Sequence, residues 1–305
     1  MKNKIFIAIL LVAVLGCDTP YTVDDFWGNG VQFENVDLTG VYVAGYIGKR
    51  NLDQRPYESY HNPSDPMSAV LWKDGVMQTL AEAGEAHSVF VSDGDVYVAG
   101  YVGTNSQPRA VLRKNGIAQY LSYGTPSEAY SVFVADGDVY AAGYVETYSG
   151  PRAVLWKNGV AQYLSDRASV ARSVFVAGGD VYVAGEGSDY GSVSLWKNGV
   201  AQSLTGVQAN SVFVSGNDVY VGLWNGTLWK NGTVQYLPVQ RGEARSVFVA
   251  DGDVYVAGYV DYPLGAVLWK NGIEQRLTAG GYYAVGGYNA WANSVFVSDS
   301  DVYVA

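Results

Sequence analysis

Cysteine and histidine are almost absent from this sequence. Its 305 residues contain one cysteine and two histidines. A single cysteine excludes an internal disulfide, and two histidines give little basis for a zinc site or a histidine-dependent catalytic triad. The sequence therefore predicts no metal, no other cofactor and no catalytic residue that a motif identifies.

Charged residues are also few, and acidic residues outnumber basic ones. Lys, Arg, Asp and Glu together make up 16% of the chain, and the formal net charge is −10. Affinity for nucleic acids depends largely on Lys and Arg contacts to phosphates. The charge balance therefore argues against a nucleic-acid partner, and no long basic tract favours anionic lipid.

Strong helix formers are sparse, whereas glycine and tyrosine are abundant. The chain has 37 glycines and 25 tyrosines, and the tyrosines recur in valine-rich runs with strand-like alternation. Aromatic and β-branched residues favour strands. With 49% apolar residues, the composition predicts an all-β fold with a large core.

The N-terminus has the features of an export signal. Two lysines precede an apolar run over residues 5–15, which is too short to cross a bilayer, because a spanning helix needs about 20 residues. The sequence Val14-Leu15-Gly16-Cys17 resembles the end of a bacterial lipoprotein signal. That resemblance implies cleavage before Cys17 and a lipid on its side chain, and hence a lipid-anchored protein of the bacterial cell envelope, periplasmic or surface-exposed.

The interpretation of the N-terminus as a lipoprotein signal divides the chain into three parts. Residues 1–16 are the predicted signal peptide, and residues 17–21 are a lipidated linker. Residues 22–305 form one repeated domain.

The repeat is marked by the tetrapeptide Ser-Val-Phe-Val. Its copies begin at Ser88, Ser131, Ser173, Ser211, Ser246 and Ser294, at intervals of 43, 42, 38, 35 and 48 residues. Each unit contains four short predicted strands, with an Asp-Gly or similar turn between the first two and Asn-Gly between the last two, as tight hairpins require. A period of about 40–50 residues made of short strands is typical of propeller blades.

The number of blades depends on how the two ends of the chain are interpreted. Second-to-fourth-strand sets begin at Val41, Val96, Val139, Val181, Val219 and Val254, and an extra first and second strand end the chain. Residues 26–33 are similar to the third and fourth strands of the repeat and would complete a seventh blade. Alternatively, residues 31–36 are the first strand of the first blade, which gives six blades with an added hairpin or a truncated gene product.

The unit resembles that of the bacterial seven-bladed β-propeller repeat proteins. The resemblance lies in Asp138-Val139-Tyr140-Ala141-Ala142-Gly143-Tyr144 and its copies and covers nearly all of the chain after residue 20. It implies a propeller of four-stranded antiparallel blades and export. It implies no shared activity, because a propeller fold does not determine function.

Successive strands reverse direction, so the two kinds of connection fall on opposite rims. The Asp-Gly and Asn-Gly turns form one rim, which we call the turn rim. The connections between the second and third strands, and from each unit to the next, form the other, which we call the variable rim. Because variation and most non-repeated aromatic residues fall on the variable rim, it is the predicted binding face.

A polar residue precedes each Ser-Val-Phe-Val and follows an alanine. These residues would ring the mouth of the channel: His87, Tyr130, Arg172, Asn210, Arg245 and Asn293. Aromatic residues of the variable rim would stack on an extended ligand: Tyr57, Tyr60, Tyr283 and Trp291. The alternative is a solvated channel lining without a ligand.

The third strand of most units carries a tryptophan. The tryptophans are Trp72, Trp156, Trp196, Trp229 and Trp269, and Arg113 replaces them in one unit. Their place in the middle of a strand predicts a core between neighbouring blades.

These observations favour a binding or scaffold protein for a carbohydrate or an envelope protein. A long first connection between second and third strands, near residues 47–67, faces a short fifth one at residues 224–227 and predicts a groove between them. The alternative is a glycoside hydrolase or polysaccharide lyase that uses Glu85, Glu128 and Glu243, which precede their first strands at near-equivalent places. The sequence leaves open whether the protein is an enzyme.

Overall fold

The computed structural model confirms the all-β prediction. It describes residues 10–15, 40–49, 67–187, 192–205, 208–239, 241–261, 264–278, 291–298 and 301–305, and every regular element in these ranges is a strand. No helix that could cross a membrane occurs in the described part of the chain. The chain divides into two compact units, Met1–Ala129 and Tyr130–Ala305.

The first unit contains two four-stranded sheets. The first sheet consists of β1 (Leu10–Leu15), β2 (Tyr42–Lys49), β3 (Met67–Lys73) and β4 (Val76–Ala81). The second consists of β5 (Gly84–Ser92), β6 (Asp95–Val102), β7 (Arg109–Lys114) and β8 (Ile117–Tyr120). In both sheets the strands lie side by side in chain order.

The second unit continues the pattern, and the first strand of its first sheet crosses the boundary between the units. The third sheet consists of β9 (Ser127–Ala135), β10 (Asp138–Thr147), β11 (Gly150–Lys157) and β12 (Val160–Tyr163). The fourth consists of β13 (Val170–Ala177), β14 (Asp180–Glu186), β15 (Ser192–Lys197) and β16 (Val200–Thr205).

Two further four-stranded sheets and one two-stranded sheet follow. The fifth sheet consists of β17 (Ala209–Ser215), β18 (Asp218–Leu223), β19 (Thr227–Lys230) and β20 (Thr233–Tyr236). The sixth consists of β21 (Gly242–Ala250), β22 (Asp253–Asp261), β23 (Leu264–Lys270) and β24 (Ile273–Arg276), and the seventh of β25 (Val295–Ser298) and β26 (Asp301–Val304).

The first sheet departs from the pattern in its first strand. β1 pairs in parallel with β2, from Leu10 opposite Ala44 to Leu15 opposite Lys49. The first strands of the second, fourth, fifth, sixth and seventh sheets run antiparallel to the second strands. β1 lies within the predicted signal peptide and is not a copy of the repeat. Its pairing does not test whether residues 1–16 are a signal peptide, which stays a prediction.

The hairpin turns adopt the predicted backbone conformation. In the third sheet, Asp136 and Gly137 have φ values of 52° and 79°, and Asn158 and Gly159 have φ values of 53° and 81°. Two successive residues with positive φ are typical of the type I′ turn, which matches the twist of the strands it joins. The Asp-Gly and Asn-Gly pairs are therefore explained by local backbone geometry.

The repeated serine joins neighbouring sheets in the second unit. Ser131 Oγ accepts a hydrogen bond of 3.2 Å from the backbone nitrogen of Val174, one sheet further along, and Ser211 Oγ accepts one of 3.1 Å from Val247. Ser173 and Ser246 make the same bond to Val212 and Val295. The first strand lies at the edge of its sheet, so some of its N–H groups have no partner within that sheet. The serine of the preceding sheet accepts a hydrogen bond from one of them.

The repeated phenylalanine forms a ladder beside these bonds. Ring centroids are 4.7–5.1 Å apart along the series Phe133, Phe175, Phe213, Phe248 and Phe296. Such close aromatic pairs contribute beyond the area they bury. The first strands of the second unit therefore lie next to one another.

The tryptophans fill the space between sheets, as predicted. Trp196 of the fourth sheet packs against Tyr140 and Leu155 of the third, and Trp269 of the sixth packs against Tyr220 and Leu228 of the fifth. Trp229 likewise packs against residues of the fourth sheet, including Tyr182 and Leu195.

Arg113 stands in the second sheet at the position of these tryptophans. Burial lowers its pKa. Its Nη1 atom donates a hydrogen bond of 3.4 Å to the carbonyl oxygen of Gly116.

Candidate functional site

The six polar residues of the predicted ring share a distinctive backbone position. In four first strands the register with the second strand shifts between the alanine before that residue and the serine after it. The residues at these shifts are His87, Arg172, Asn210 and Arg245. A β-bulge of this kind redirects the side chain of the extra residue. We call the six residues the bulge residues.

The other two bulge residues hold the same place in their units. Tyr130 stands between Ala129 and Ser131 in β9. The backbone nitrogens of Asn293 and Ser294 both donate to the carbonyl oxygen of Ala305, so two residues oppose one, as in a bulge.

A glycine in the second strand makes the bulge possible. A Cβ atom added to Gly258 would lie 1.8 Å from the carbonyl oxygen of Glu243, and one added to Gly185 would lie 1.9 Å from that of Val170. The alanines that precede the bulge residues are buried; Ala171 and Ala244 are examples. The sequence signal of the bulge is therefore Ala-x-Ser in the first strand together with Ala-Gly or Val-Gly in the second.

In the second unit the bulge residues contact one another from sheet to sheet. The Arg172 guanidinium lies over the Tyr130 ring, 5.5 Å from its centroid. Arg172 Nε donates to Glu186 Oε1 at 2.8 Å, and Nη2 donates to the same oxygen. The Gln208 amide lies against both. In the amide orientation that satisfies both groups, its nitrogen is 3.2 Å from Glu186 Oε1 and its oxygen 2.9 Å from Arg172 Nε.

The chain of contacts continues through the fifth, sixth and seventh sheets. Asn210 Nδ2 donates to the carbonyl oxygen of Ala244 at 3.1 Å. Arg245 Nε donates to Glu243 Oε2 at 2.8 Å, and Arg245 Nη1 donates to Asn293 Oδ1. Non-repeated side chains therefore form a continuous polar belt along the variable rim of this unit.

Two aromatic rings enclose the Arg245 guanidinium. It lies 5.1 Å from the centroid of Tyr259 and 5.5 Å from that of Trp291, and the two rings meet edge to face at 6.4 Å. Trp291 remains 39% exposed. Burial and the neighbouring carboxylate of Glu243 raise the pKa of Tyr259. Trp291 is thus a partly exposed aromatic surface beside a charged pair.

In the first unit, His87 lies between two carboxylates. Its Nδ1 atom is 3.9 Å from Glu85 Oε2, and its Nε2 atom is 3.4 Å from Glu128 Oε2; all three side chains are largely buried. The Tyr101 hydroxyl donates to Glu85 Oε1 at 2.9 Å. Burial, reinforced by the Glu85 carboxylate, raises the pKa of Tyr101.

These contacts also explain two of the three repeated glutamates, whereas Glu128 contacts His87 of the preceding sheet. Glu85 and Glu243 each pair with the bulge residue two positions later and with a tyrosine of the adjacent second strand, Tyr101 or Tyr259. Their recurrence follows from this repeated pairing.

Sequence reasoning found the glutamates beside His87 and Arg245 but missed other partners of these residues and of Arg172. Glu186, Tyr101 and Tyr259 all follow the glycine of a second strand. Tyrosine recurs at this position as part of the strand pattern. Glu186 can therefore be detected only because a glutamate stands where most other repeats have a tyrosine. Gln208 has no comparable signal, because its contact depends on the packing of two neighbouring sheets.

Several predicted residues lie outside the described part of the chain. They are Cys17, Tyr57, Tyr60 and Tyr283, together with most of the long first connection. The short fifth connection is confirmed as a tight hairpin, in which Gly226 N donates to the carbonyl oxygen of Leu223 at 3.2 Å.

The turn rim repeats the same contacts in five sheets. In the third sheet, Asp138 Oδ2 lies 2.7 Å from Lys157 Nζ, and its Oδ1 atom accepts a 2.7 Å hydrogen bond from Asn158 Nδ2. The equivalent pairs are Asp95–Lys114, Asp180–Lys197, Asp218–Lys230 and Asp253–Lys270. Within the described ranges, no three His, Cys, Asp or Glu side chains converge to hold a metal ion.

The sequence matches no protein-family model and no curated protein. Among solved structures, the extracellular domain of BT4673 from B. thetaiotaomicron, described as a one-component system, has a TM-score of 0.50 at 9% identity. The match covers 79% of this chain, which spans 35% of that longer one. The computationally designed protein Ika8 has a TM-score of 0.47 at 17% identity, over 81% of this chain and 78% of Ika8.

The first of these matches shows that the arrangement of strands recurs in another protein. Repeated four-stranded antiparallel sheets, with first strands side by side and tryptophans packed between the sheets, are the blades of a propeller. The fold is a β-propeller. At these levels of identity the matches concern the fold alone.

Proposed function

We propose that this β-propeller is an exported, lipid-anchored binding or scaffold protein whose variable rim holds a carbohydrate or an envelope-protein ligand. The observation that carries the proposal is the polar belt of the second unit, formed by Tyr130, Arg172, Asn210, Arg245 and Asn293. The residues on either side of each bulge repeat, whereas the bulge residue itself changes from sheet to sheet. A purely structural position would be expected to keep one residue type, as the repeated serine does.

The chemistry of the belt supports ligand binding. Arg172 and Glu186 are 31% and 33% exposed, so both remain accessible to a ligand. Tryptophan and arginine are enriched among the residues that dominate binding energy at interfaces. Trp291 and Arg245 lie together and are the proposed anchors.

Two substitutions test this face. Once a glycan array or a pull-down from detergent-solubilised envelope supplies a ligand, Trp291→Ala and Arg245→Ala are each expected to weaken its binding by about 1–3 kcal/mol. Lys157→Ala on the turn rim is the control and should leave affinity unchanged. If Trp291→Ala and Arg245→Ala both leave affinity unchanged, and substitutions on the turn rim abolish binding, the ligand binds the turn rim instead.

The proposed location is the bacterial cell envelope, with a lipid on Cys17 as the anchor. The support is the resemblance of residues 14–17 to a lipoprotein signal. Cys17→Ser is expected to abolish palmitate labelling and to release the protein from membranes. Membrane fractionation that does not change in this variant would refute the anchor.

A carboxylate-dependent glycoside hydrolase or polysaccharide lyase is the second candidate. The observation that favours it is the approach of Glu85 and Glu128 to opposite sides of His87. Release of reducing ends or unsaturated products from a glycan, lost in Glu85→Gln and Glu128→Gln, would establish the enzyme. Binding of that glycan without turnover would establish the binding protein.

A further inference from the structure

We infer that the ligand of the polar belt is a neutral saccharide rather than one that carries carboxylate or sulfate groups. The inference rests on the proposed binding function and specifies its ligand. It follows from how the charges of the second unit are paired.

Both cations among the second unit's bulge residues already have a carboxylate partner. Arg172 bonds to Glu186, and Arg245 bonds to Glu243 at 2.8 Å. A third carboxylate, Asp261, lies near enough to Tyr259 to raise the pKa of its hydroxyl. Arg241 adjoins Asp261, whose backbone nitrogen donates to the Arg241 carbonyl oxygen at 2.9 Å, so these two charges offset each other. An anionic ligand would still meet a carboxylate beside the guanidinium groups of Arg172 and Arg245.

The paired charges suit hydroxyl groups. A hydroxyl both donates and accepts hydrogen bonds, and an arginine next to a glutamate offers a donor and an acceptor at the same place. Gln208 and Asn210 add amide donors and acceptors between the two arginines. Glu186 is 33% exposed, whereas Glu243 is 11% exposed. A neutral sugar can therefore use the Glu186 carboxylate as well as the guanidinium groups, whereas an acidic sugar can use only the guanidinium groups.

The aromatic residues complete the site. Trp291 is partly exposed and lies edge to face with Tyr259, next to the Arg245–Glu243 pair. An indole face is flat and apolar, and it can cover the C–H face of a sugar ring while the hydroxyls at the ring's edge reach the polar belt. This combination of stacking surface and paired charges favours uncharged pyranose rings.

The test compares oligosaccharides that differ only in charge. Calorimetric titration of the full chain with neutral oligosaccharides and with uronic-acid oligosaccharides of equal length should show at least about tenfold tighter binding of a neutral one. Glu186→Gln exposes the charge of Arg172 to the ligand. It should reduce this preference by about tenfold or reverse it, because a repulsive group is lost and a guanidinium is freed.

Glu274→Gln is the matched control. Arg276 Nε lies 2.9 Å from Glu274 Oε1 on β24, so this change removes the carboxylate of an Arg–Glu ion pair outside the belt. It should leave the preference unchanged.

The outcomes separate the inference from the proposed function. Tighter binding of the uronic-acid series by the unaltered protein would overturn the neutral ligand and leave the binding function standing. An unchanged preference in Glu186→Gln would also overturn the inference. Failure to bind either series would overturn saccharide binding altogether.

Discussion

At the scale of single residues, the invariance of the repeated serine has a specific cause. Its hydroxyl accepts the N–H of the next blade's first strand, which no backbone carbonyl of that blade reaches. A buried donor that loses its acceptor retains the full cost of leaving water. Four of these serines therefore contribute to the contact between blades as well as to their own strands: Ser131, Ser173, Ser211 and Ser246.

Ser211→Ala tests this role. The substitution removes the acceptor 3.1 Å from Val247 N and is expected to lower the free energy of unfolding by about 1–2 kcal/mol in urea denaturation. Ser215→Ala is the control, because Ser215 is exposed at the end of the same strand. Equal stability of the two variants would show that the hydroxyl at position 211 contributes nothing.

Some residues of the candidate site could be identified from the sequence, and others could not. The bulge residues could be found because each stands between a repeated alanine and a repeated serine. Glu186, the ion-pair partner of Arg172, could not be found, because the two residues meet only through the shifted register of the bulge. In the structure Arg172 and Arg245 pair with glutamates of the protein itself, Glu186 and Glu243.

At the scale of elements, the turn rim is held by a repeated arrangement of four side chains. An aspartate at the start of the second strand contacts the lysine that ends the third strand and the asparagine of the following turn. The lysine also lies over the tyrosine of the second strand, as Lys157 lies 5.3 Å from the centroid of Tyr140. The monotony of this rim is therefore structural.

These contacts predict how stability depends on pH. Hydrogen bonds from lysine and asparagine lower the pKa of Asp138 below its ordinary 3.8, and the bond to Asp138 raises the pKa of Lys157 above its ordinary 10.5. The aspartate contribution is present above pH 3.8 and is lost as pH falls through the lowered value. The lysine contribution is present below pH 10.5 and is lost as pH rises through the raised value.

Calorimetry should therefore find the highest unfolding temperature between these limits and a decline on both sides. Lys157→Met should make both declines shallower, because one of the five pairs is removed. Lys73→Met is the control: in the first sheet Gly40 replaces the aspartate and Asp74 replaces the asparagine, with Gly40 N donating to Asp74 Oδ1. Equal slopes in all three proteins would show that the pairs do not set the pH dependence.

At the scale of the whole molecule, the repeat alone was enough to predict the fold. Period-two alternation, Asn-Gly turns and a tryptophan in most third strands specify one blade, and a single blade leaves both faces of its sheet uncovered. Stacking of neighbouring blades is the way to bury them. The extra pair of strands at the C-terminus is confirmed as β25 and β26.

The number of blades could not be settled in the same way. Closure of a ring depends on which segment pairs with β26, and pairing between distant segments leaves no periodic signal. The candidate strands at residues 26–33 and 31–36 lie outside the described residues. The seven-bladed interpretation and its six-bladed alternative both stay predictions.

Hydrogen exchange with and without a bound ligand tests the central claim, that the variable rim is the binding face. The account predicts that a saccharide identified by the array slows amide exchange in peptides containing Arg172, Asn210, Arg245 and Asn293. Exchange at the turns containing Asn158, Asn198 and Asn271 should not change. Protection confined to those turns, with the bulge peptides unaffected, would contradict the account.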